Sequence, residues 1–213
     1  MHKIDRSISE PQELTYAREN HSCWDEFSTQ NKKQVRDTLL IMQDFRCAYC
    51  ERQLHADNHT EEDKWDGHIE HFRRKNVHFH PELTFVWDNL FYSCLTGNTC
   101  GKHKDSFVQR KEEYTSLIDP CQDNPEDYFV FDHTGRIAIR SGLSDCDQKR
   151  AQFTLDAFNL NEPALKKKRK ETLKEYEWLK NYSLEEQEKY LADFISQPFV
   201  TAIYHYFGKR VRP

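Results

Sequence analysis

Four of the seven cysteines fall in two pairs, Cys47-x2-Cys50 and Cys94-x5-Cys100. Four thiolates at about 2.3 Å from one tetrahedral ion would tie two distant stretches together, so the chain between them must leave that point and return to it. The second pair is spaced more loosely than the usual x2. A rival set, Cys47, Cys50, His55 and His59, leaves only four residues between its pairs. That is short beside the roughly dozen residues of a common finger. No leader-like start is visible, so seven cysteines point away from a disulfide framework. Cys23, Cys121 and Cys146 read as reduced thiols.

A chain of 213 residues can bury a sizeable core. Its 6 glycines and 7 prolines are few, which favours helices, and its 13% aromatic content supplies large buried side chains. A net charge of −5 argues against a surface that binds nucleic acid everywhere, and leaves room for one local basic face or a basic partner. No apolar run reaches bilayer-spanning length, so a cytoplasmic protein without a membrane contact is expected.

The expected elements follow from periodicity and caps. Helices are expected over 10–18 and, capped by Ser28 or Thr29, over 29–44, with a short turn at Trp24. Residues 56–66 read as an acidic loop. Residues 82–87 alternate as an extended segment would. A helix is expected from Asp105 to Glu113. The segments 128–132 and 136–139 read as a hairpin around Gly135. Ser144, Pro163 and Ser183 each open a helix, ending near Phe158, Asn181 and Gln197. The apolar stretch 199–207 reads as core.

Between the cysteine pairs lie His68-Ile69-Glu70-His71 and Asn89. Neighbouring side chains on a strand point to opposite faces, so Glu70 and His71 share a site only if the backbone bends. A neutral imidazole suits a general base near neutral pH.

The set Cys-x2-Cys, acid–His, Asn-Leu and Cys…Cys, with a lysine four residues on, resembles the HNH endonucleases with their ββα-metal fold. Narrower pieces resemble the PtuB-type nucleases of Septu and retron-associated anti-phage defence. These are Trp24-Asp25-Glu26-Phe27, Cys47-Ala48-Tyr49-Cys50-Glu51, Ile69-Glu70-His71-Phe72-Arg73, Trp87-Asp88-Asn89-Leu90-Phe91, Ser93-Cys94 and Ile118-Asp119-Pro120. With the hairpin that follows Pro120, the narrow match extends from about residue 20 to 140.

The resemblance implies an α+β, mostly helical protein. N-terminal helices (1–46) would lead into a ββα-metal nuclease core (47–115). A loop with a small β-hairpin (116–143) and a C-terminal helical region (144–213) would complete one compact unit. It implies His71 as general base, Glu70 as ligand of a catalytic Mg2+ or Mn2+, Asn89 as the residue orienting the base-bearing loop, and a structural Zn2+ on Cys47, Cys50, Cys94 and Cys100. The family's last ligand position falls on Gly101, a departure. His103 is the expected substitute, with Asn98 and Asp105 as alternatives. Arg73, Arg74, Lys75 and Lys104 are expected to contact nucleic acid, and the product would carry a 5′-phosphate. Arg73 and Arg74 occupy the places where proline is usual. Implied partners are DNA, or RNA such as tRNA, an ABC-type PtuA-like ATPase, and a retron reverse transcriptase with its RNA–DNA product.

Three features stay outside that pattern. His78 and His80 could share a strand face, as a second metal site or a solvated loop. The basic run 166–170 wraps its helix, as solvated surface or as a phosphate contact. The tail residues Lys209, Arg210 and Arg212 carry the same ambiguity. The alternative to an enzyme is a zinc-binding adaptor for nucleic acid or the ATPase, which needs only the cysteines.

Overall fold

The computed structural model describes residues 1–54 and 66–211. His55, His59, most of the acidic loop and Arg212 lie outside these. Helix α1 (Gln12–Asn20) is followed by a single turn at Trp24–Glu26 and by α2 (Thr29–Met42). Ser28 caps α2 by accepting from the Asn31 amide. Val35, Leu39, Leu40 and Met42 put the buried face of α2 inward, where it packs on both strands of the hairpin that follows.

That hairpin pairs β1 (Gly67–His71) with β2 (Leu90–Cys94) in antiparallel register, Gly67 opposite Cys94 and His71 opposite Leu90. The expected extended segment 82–87 is corrected: the chain makes short turns at Pro81–Leu83 and Trp87–Asn89. Pro81 presets the first turn, and the Thr84 hydroxyl closes it by donating to the Pro81 carbonyl at 2.6 Å. Phe85 and Trp87 are buried from this compact path.

Helix α3 (Cys100–Phe107) begins at the last cysteine, earlier than expected, and packs on β2. It does not run on to Glu113. That carboxylate accepts from the amides of Gln109 and Arg110 at 2.9 and 3.0 Å and starts a separate turn.

The second half frames the first. Helix α4 (Pro125–Tyr128) leads into the expected hairpin of β3 (Phe129–Phe131) and β4 (Ile137–Ile139). Gly135 turns it at φ +80°, where a Cβ would strike the Lys166 carbonyl. Helix α5 (Asp145–Ala157) carries the Ser144 cap. Helix α6 (Pro163–Glu175) gives way to a turn at Glu177–Asn181, short of the expected end. Helix α7 (Leu184–Asp193) starts on a Ser183–Glu186 capping box. Helix α8 (Val200–Tyr206) is buried at Val200, Thr201, Ala202, Ile203 and Tyr204, so 199–207 is core as expected.

Arg169, within the basic run, is fully buried and donates to the carbonyls of Gly135 and Leu160. Glu51, next to Cys50, is also buried. It receives the Met1 ammonium at 2.6 Å and the Thr201 amide at 2.9 Å, while its own carbonyl accepts from Phe199. Burial opposes its charge, but the ammonium and His2 hold its pKa down at about 2. Among the described residues no helix is long and apolar enough to cross a membrane.

Candidate active site

The four paired cysteines converge. Their Sγ atoms all lie within 4.8 Å of one another, and each residue is buried. Cys50 and Cys94 are 3.9 Å apart at sulfur, close to the roughly 3.8 Å edge of a tetrahedron built on 2.3 Å metal–thiolate bonds. The Cys94 amide points at the Cys47 sulfur. Glu51 takes a positive φ of 63°, which bends the Cys47–Cys50 knuckle back so that its amide donates to the Cys47 carbonyl. Cys100 also sits at positive φ, its amide donating to the Phe158 carbonyl at 2.8 Å.

The neighbouring sulfurs, Cys100 first, draw the Cys94 thiol well below its usual pKa, while burial pushes that of Cys100 up. Four thiolates so close need a divalent cation to share them. The tetrad fits a structural metal ion such as zinc.

Above β1 opens a cleft of about 550 Å³ lined by Trp24, Asp25, His68, Glu70, His71, Arg74, Lys75 and Asp105 among others. Glu70 and His71 both reach it because β1 ends at His71 and the backbone turns away there. The His71 ring is buried. Its Nε2 lies 2.9 Å from the Thr84 carbonyl, and the Trp24 indole meets it edge-on at 4.7 Å. Only an Nε2–H satisfies that carbonyl, so the neutral ring keeps its lone pair on Nδ1. Burial, with the Lys75 ammonium next, lowers the His71 pKa to about 3.

Asn89 fixes the segment that follows. Its Oδ1 accepts from the Arg73 amide at 2.8 Å and its Nδ2 donates to the Arg73 carbonyl at 2.9 Å, while its own carbonyl accepts from Phe72.

Glu70 is buried between three groups. Oε1 faces the Lys104 ammonium at 2.5 Å, and Oε2 lies 3.2 Å from His68 Nε2. A Cβ on Gly101 would collide with this carboxylate, so glycine there lets α3 close over it. Burial alone would raise the Glu70 pKa; Lys104 and His68 bring it down to about 2. His68 and Glu70 stand two apart on β1 and share a face, a period-two signal present in the sequence though not among the expected ligands. Their 3.2 Å separation is close to the roughly 3.0 Å between adjacent ligands of an octahedral ion. Asp105 lines the same cleft, its pKa raised by burial and then by Glu70. Among the described residues, only the cysteine tetrad gathers three or more such ligand atoms within 4.8 Å. The cleft offers the His68–Glu70 pair, with Asp105 further along.

Three of the expected residues have other partners in this structure. His103 does not join Glu70. Its Nδ1 lies 2.8 Å from the Ala157 carbonyl and its ring stacks on Phe107, on the flank of α3 turned to α5. Lys104 is not a surface contact. It is fully buried, donating to the His71 and Phe72 carbonyls at 2.7 Å each. Arg74 lines the cleft, but its guanidinium is occupied by the Tyr114 hydroxyl and the carbonyls of Asp105 and Val108. Arg73 and Lys75 are partly exposed, and Lys75 faces the cleft. Asn98 contributes only its carbonyl, to Asn159. His80 pairs with Glu82 at 3.0 Å, and Phe79 lies under the Arg74 guanidinium, so 78–80 is not a strand face presenting two imidazoles.

The geometry defines a class: an α+β protein with a buried, metal-competent cysteine tetrad and a cleft lined by a buried acid and a neutral histidine. Curated relatives carry the resemblance further. Over 147 residues the chain is 29% identical to a retron Vc95 protein of Vibrio cholerae serotype O1 biovar El Tor, by name an HNH endonuclease; the match covers 67% of this chain and 64% of that protein. It is 25% identical over 175 residues to the Septu protein PtuB of Bacillus mycoides strain KBAB4, covering 71% and 55%. The Septu protein PtuB of Bacillus thuringiensis is 30% identical over 123 residues, covering 57% and 40%. The matched part thus spans less than two thirds of each relative's length. No protein-family model matches the chain.

Proposed function

We propose that the chain is a metal-dependent HNH endonuclease that hydrolyses phosphodiester bonds of nucleic acid, as the effector of an anti-phage defence system working with an ABC-type, PtuA-like ATPase. The observation that carries this reading is His71: a buried neutral imidazole whose Nε2 is committed to the Thr84 carbonyl, facing the same cleft as Glu70. In this reading β1, β2 and α3 are the strands and helix of a ββα-metal finger, and the tetrad holds a structural Zn2+ that takes no part in the reaction.

His71 Nδ1 takes the proton from the attacking water, and the ring shares the resulting charge with the Thr84 carbonyl. Asn89 holds the Phe72–Arg73 backbone, which keeps the imidazole where the strand ends. Glu70, with His68 beside it and Asp105 along the cleft, would hold Mg2+ or Mn2+. Such an ion would supply charge neutralisation at the scissile phosphate; the 3′-oxygen leaves as the bond to water forms, takes a proton from solvent to become a hydroxyl, and the phosphate stays on the 5′ side. Lys75 at the mouth attracts the polyanion.

The test is cleavage of DNA and of RNA, tRNA included, by the full chain with and without its ATPase partner. His71→Ala and Glu70→Gln should each lower cleavage at least ~100-fold with folding and zinc content retained. Full activity of His71→Ala would refute the assignment.

A further inference from the structure

The mouth of the cleft bears on the form of nucleic acid that can enter it. Trp24 lines the cleft and is half-buried. Its edge rests on His71, and Phe85 stacks on it at an interplanar angle of 28°. Two ammonium groups lie over the indole: Lys32 Nζ at 5.6 Å and Lys75 Nζ at 5.7 Å from the ring centroid. They come from α2 and from the loop after β1, so the fold brings together two stretches that the sequence sets 43 positions apart. Among the described residues neither ammonium forms an ion pair, although Asp25 lies nearby on the cleft wall.

An aromatic ring beside two lysines is the composition of a site that takes an unpaired nucleotide, the base against the ring and the phosphate between the cations. The size of the cleft agrees. Its volume of about 550 Å³ accommodates a nucleotide or two. Glu70 and His71 lie at its floor, 3% and 6% exposed. A duplex keeps its bases stacked inside, whereas a strand freed from pairing can turn one base to Trp24 while its phosphodiester approaches Glu70 and His71.

We propose that Trp24, Lys32 and Lys75 form a subsite for an unpaired nucleotide of the substrate, next to the scissile phosphate. This rests on the nuclease reading, and the experiment separates the two. Fluorescence anisotropy of the full-length, zinc-loaded chain, in buffer without added Mg2+ or Mn2+ to prevent cleavage, is measured with a labelled strand of about 12 nucleotides, as single-stranded DNA, as single-stranded RNA and annealed to its complement.

The unpaired strands should bind about tenfold or more tighter than the duplex. Lys32→Ala should weaken single-strand binding severalfold and lower the slope of log K against log salt by about one. Trp24→Ala should weaken it about tenfold, and Trp24→Phe should restore most of the loss. Equal or tighter duplex binding, or a Lys32→Ala variant with unchanged affinity and salt slope, would overturn the subsite. Metal-dependent cleavage by such a chain would leave the nuclease reading standing without it. Single-strand binding as described, with no cleavage in any divalent metal, would keep the subsite and remove the nuclease.

Discussion

Lys104→Met tests whether the buried ammonium is a structural pin or a substrate contact. The wild-type Nζ has no exposure and holds four groups: the His71 and Phe72 carbonyls at 2.7 Å, Glu70 at 2.5 Å and Asp105 at 3.0 Å. Methionine keeps the volume and removes the charge. Glu70, 3% exposed, is then left with only His68 as a partner. Breaking a buried pair by removing one member costs about 3–5 kcal/mol, because the remaining charge stays desolvated. Two carbonyls lose their donor as well, so the upper end of that range is expected. For a chain of this length each kcal/mol moves the melting temperature by roughly 2–4 °C, so a fall of about 10–20 °C should appear in a thermal melt. Glu70→Gln in the same chain removes the stranded charge, and the double variant should recover about 1–3 kcal/mol relative to the sum of the singles. A Lys104→Met protein that melts within about 2 °C of wild type, yet binds nucleic acid more weakly with a shallower salt slope, would refute this reasoning.

Other consequences are as direct. Purified chain should contain close to one zinc per molecule by elemental analysis, and Cys94→Ser should lose it and unfold; metal-free protein with four reactive thiols and wild-type stability would count against the tetrad as a metal site. His103→Ala should leave the metal dependence of cleavage unchanged, whereas His68→Ala should raise the Mg2+ or Mn2+ concentration for half-maximal rate about tenfold, as measured by metal titration. Acid should destabilise the fold. His71 and His2 have native pKa values of about 3 and 4, below the unfolded value near 6.5. Between those limits the unfolded chain binds more protons, so their stabilisation is complete above about pH 6.5 and is lost as the pH falls through that window. Glu51, at about 2, adds a loss below its unfolded value near 4.5. Urea midpoints measured from pH 7.5 to 4 should fall steadily, and His71→Phe should flatten the slope.

Elements whose ends are marked by local chemistry were legible. Ser28, Ser144 and Ser183 accept from their N3 amides as their types imply, and Pro163 opens α6. The Gly135 hairpin paired as its alternation suggests. What failed was set by tertiary contacts. Leu83, Phe85 and Trp87 have a strand's period, but two turns bury Phe85 and Trp87 and leave Leu83 half-buried. The start of α3 is fixed at Cys100 by the Phe158 carbonyl, which lies 58 residues away. The convergence of the cysteines was readable from spacing. The side of α3 that faces Glu70 was not, because His103, Lys104 and Asp105 are adjacent and only the crossing of α3 over β1 selects among them. His68 was legible in principle, since a two-residue step on a strand returns to the same face.

Glu51 has a consequence for how loss of the metal would be felt. The residue after Cys50 is anchored to α8 through Thr201 and Phe199, and the amide of Cys100 is anchored to the end of α5. The knuckle is therefore hinged to the far end of the sequence. Chelation should release amide protons for exchange in α5 and α8 together with those of β2, with no separate step for the C-terminal helices.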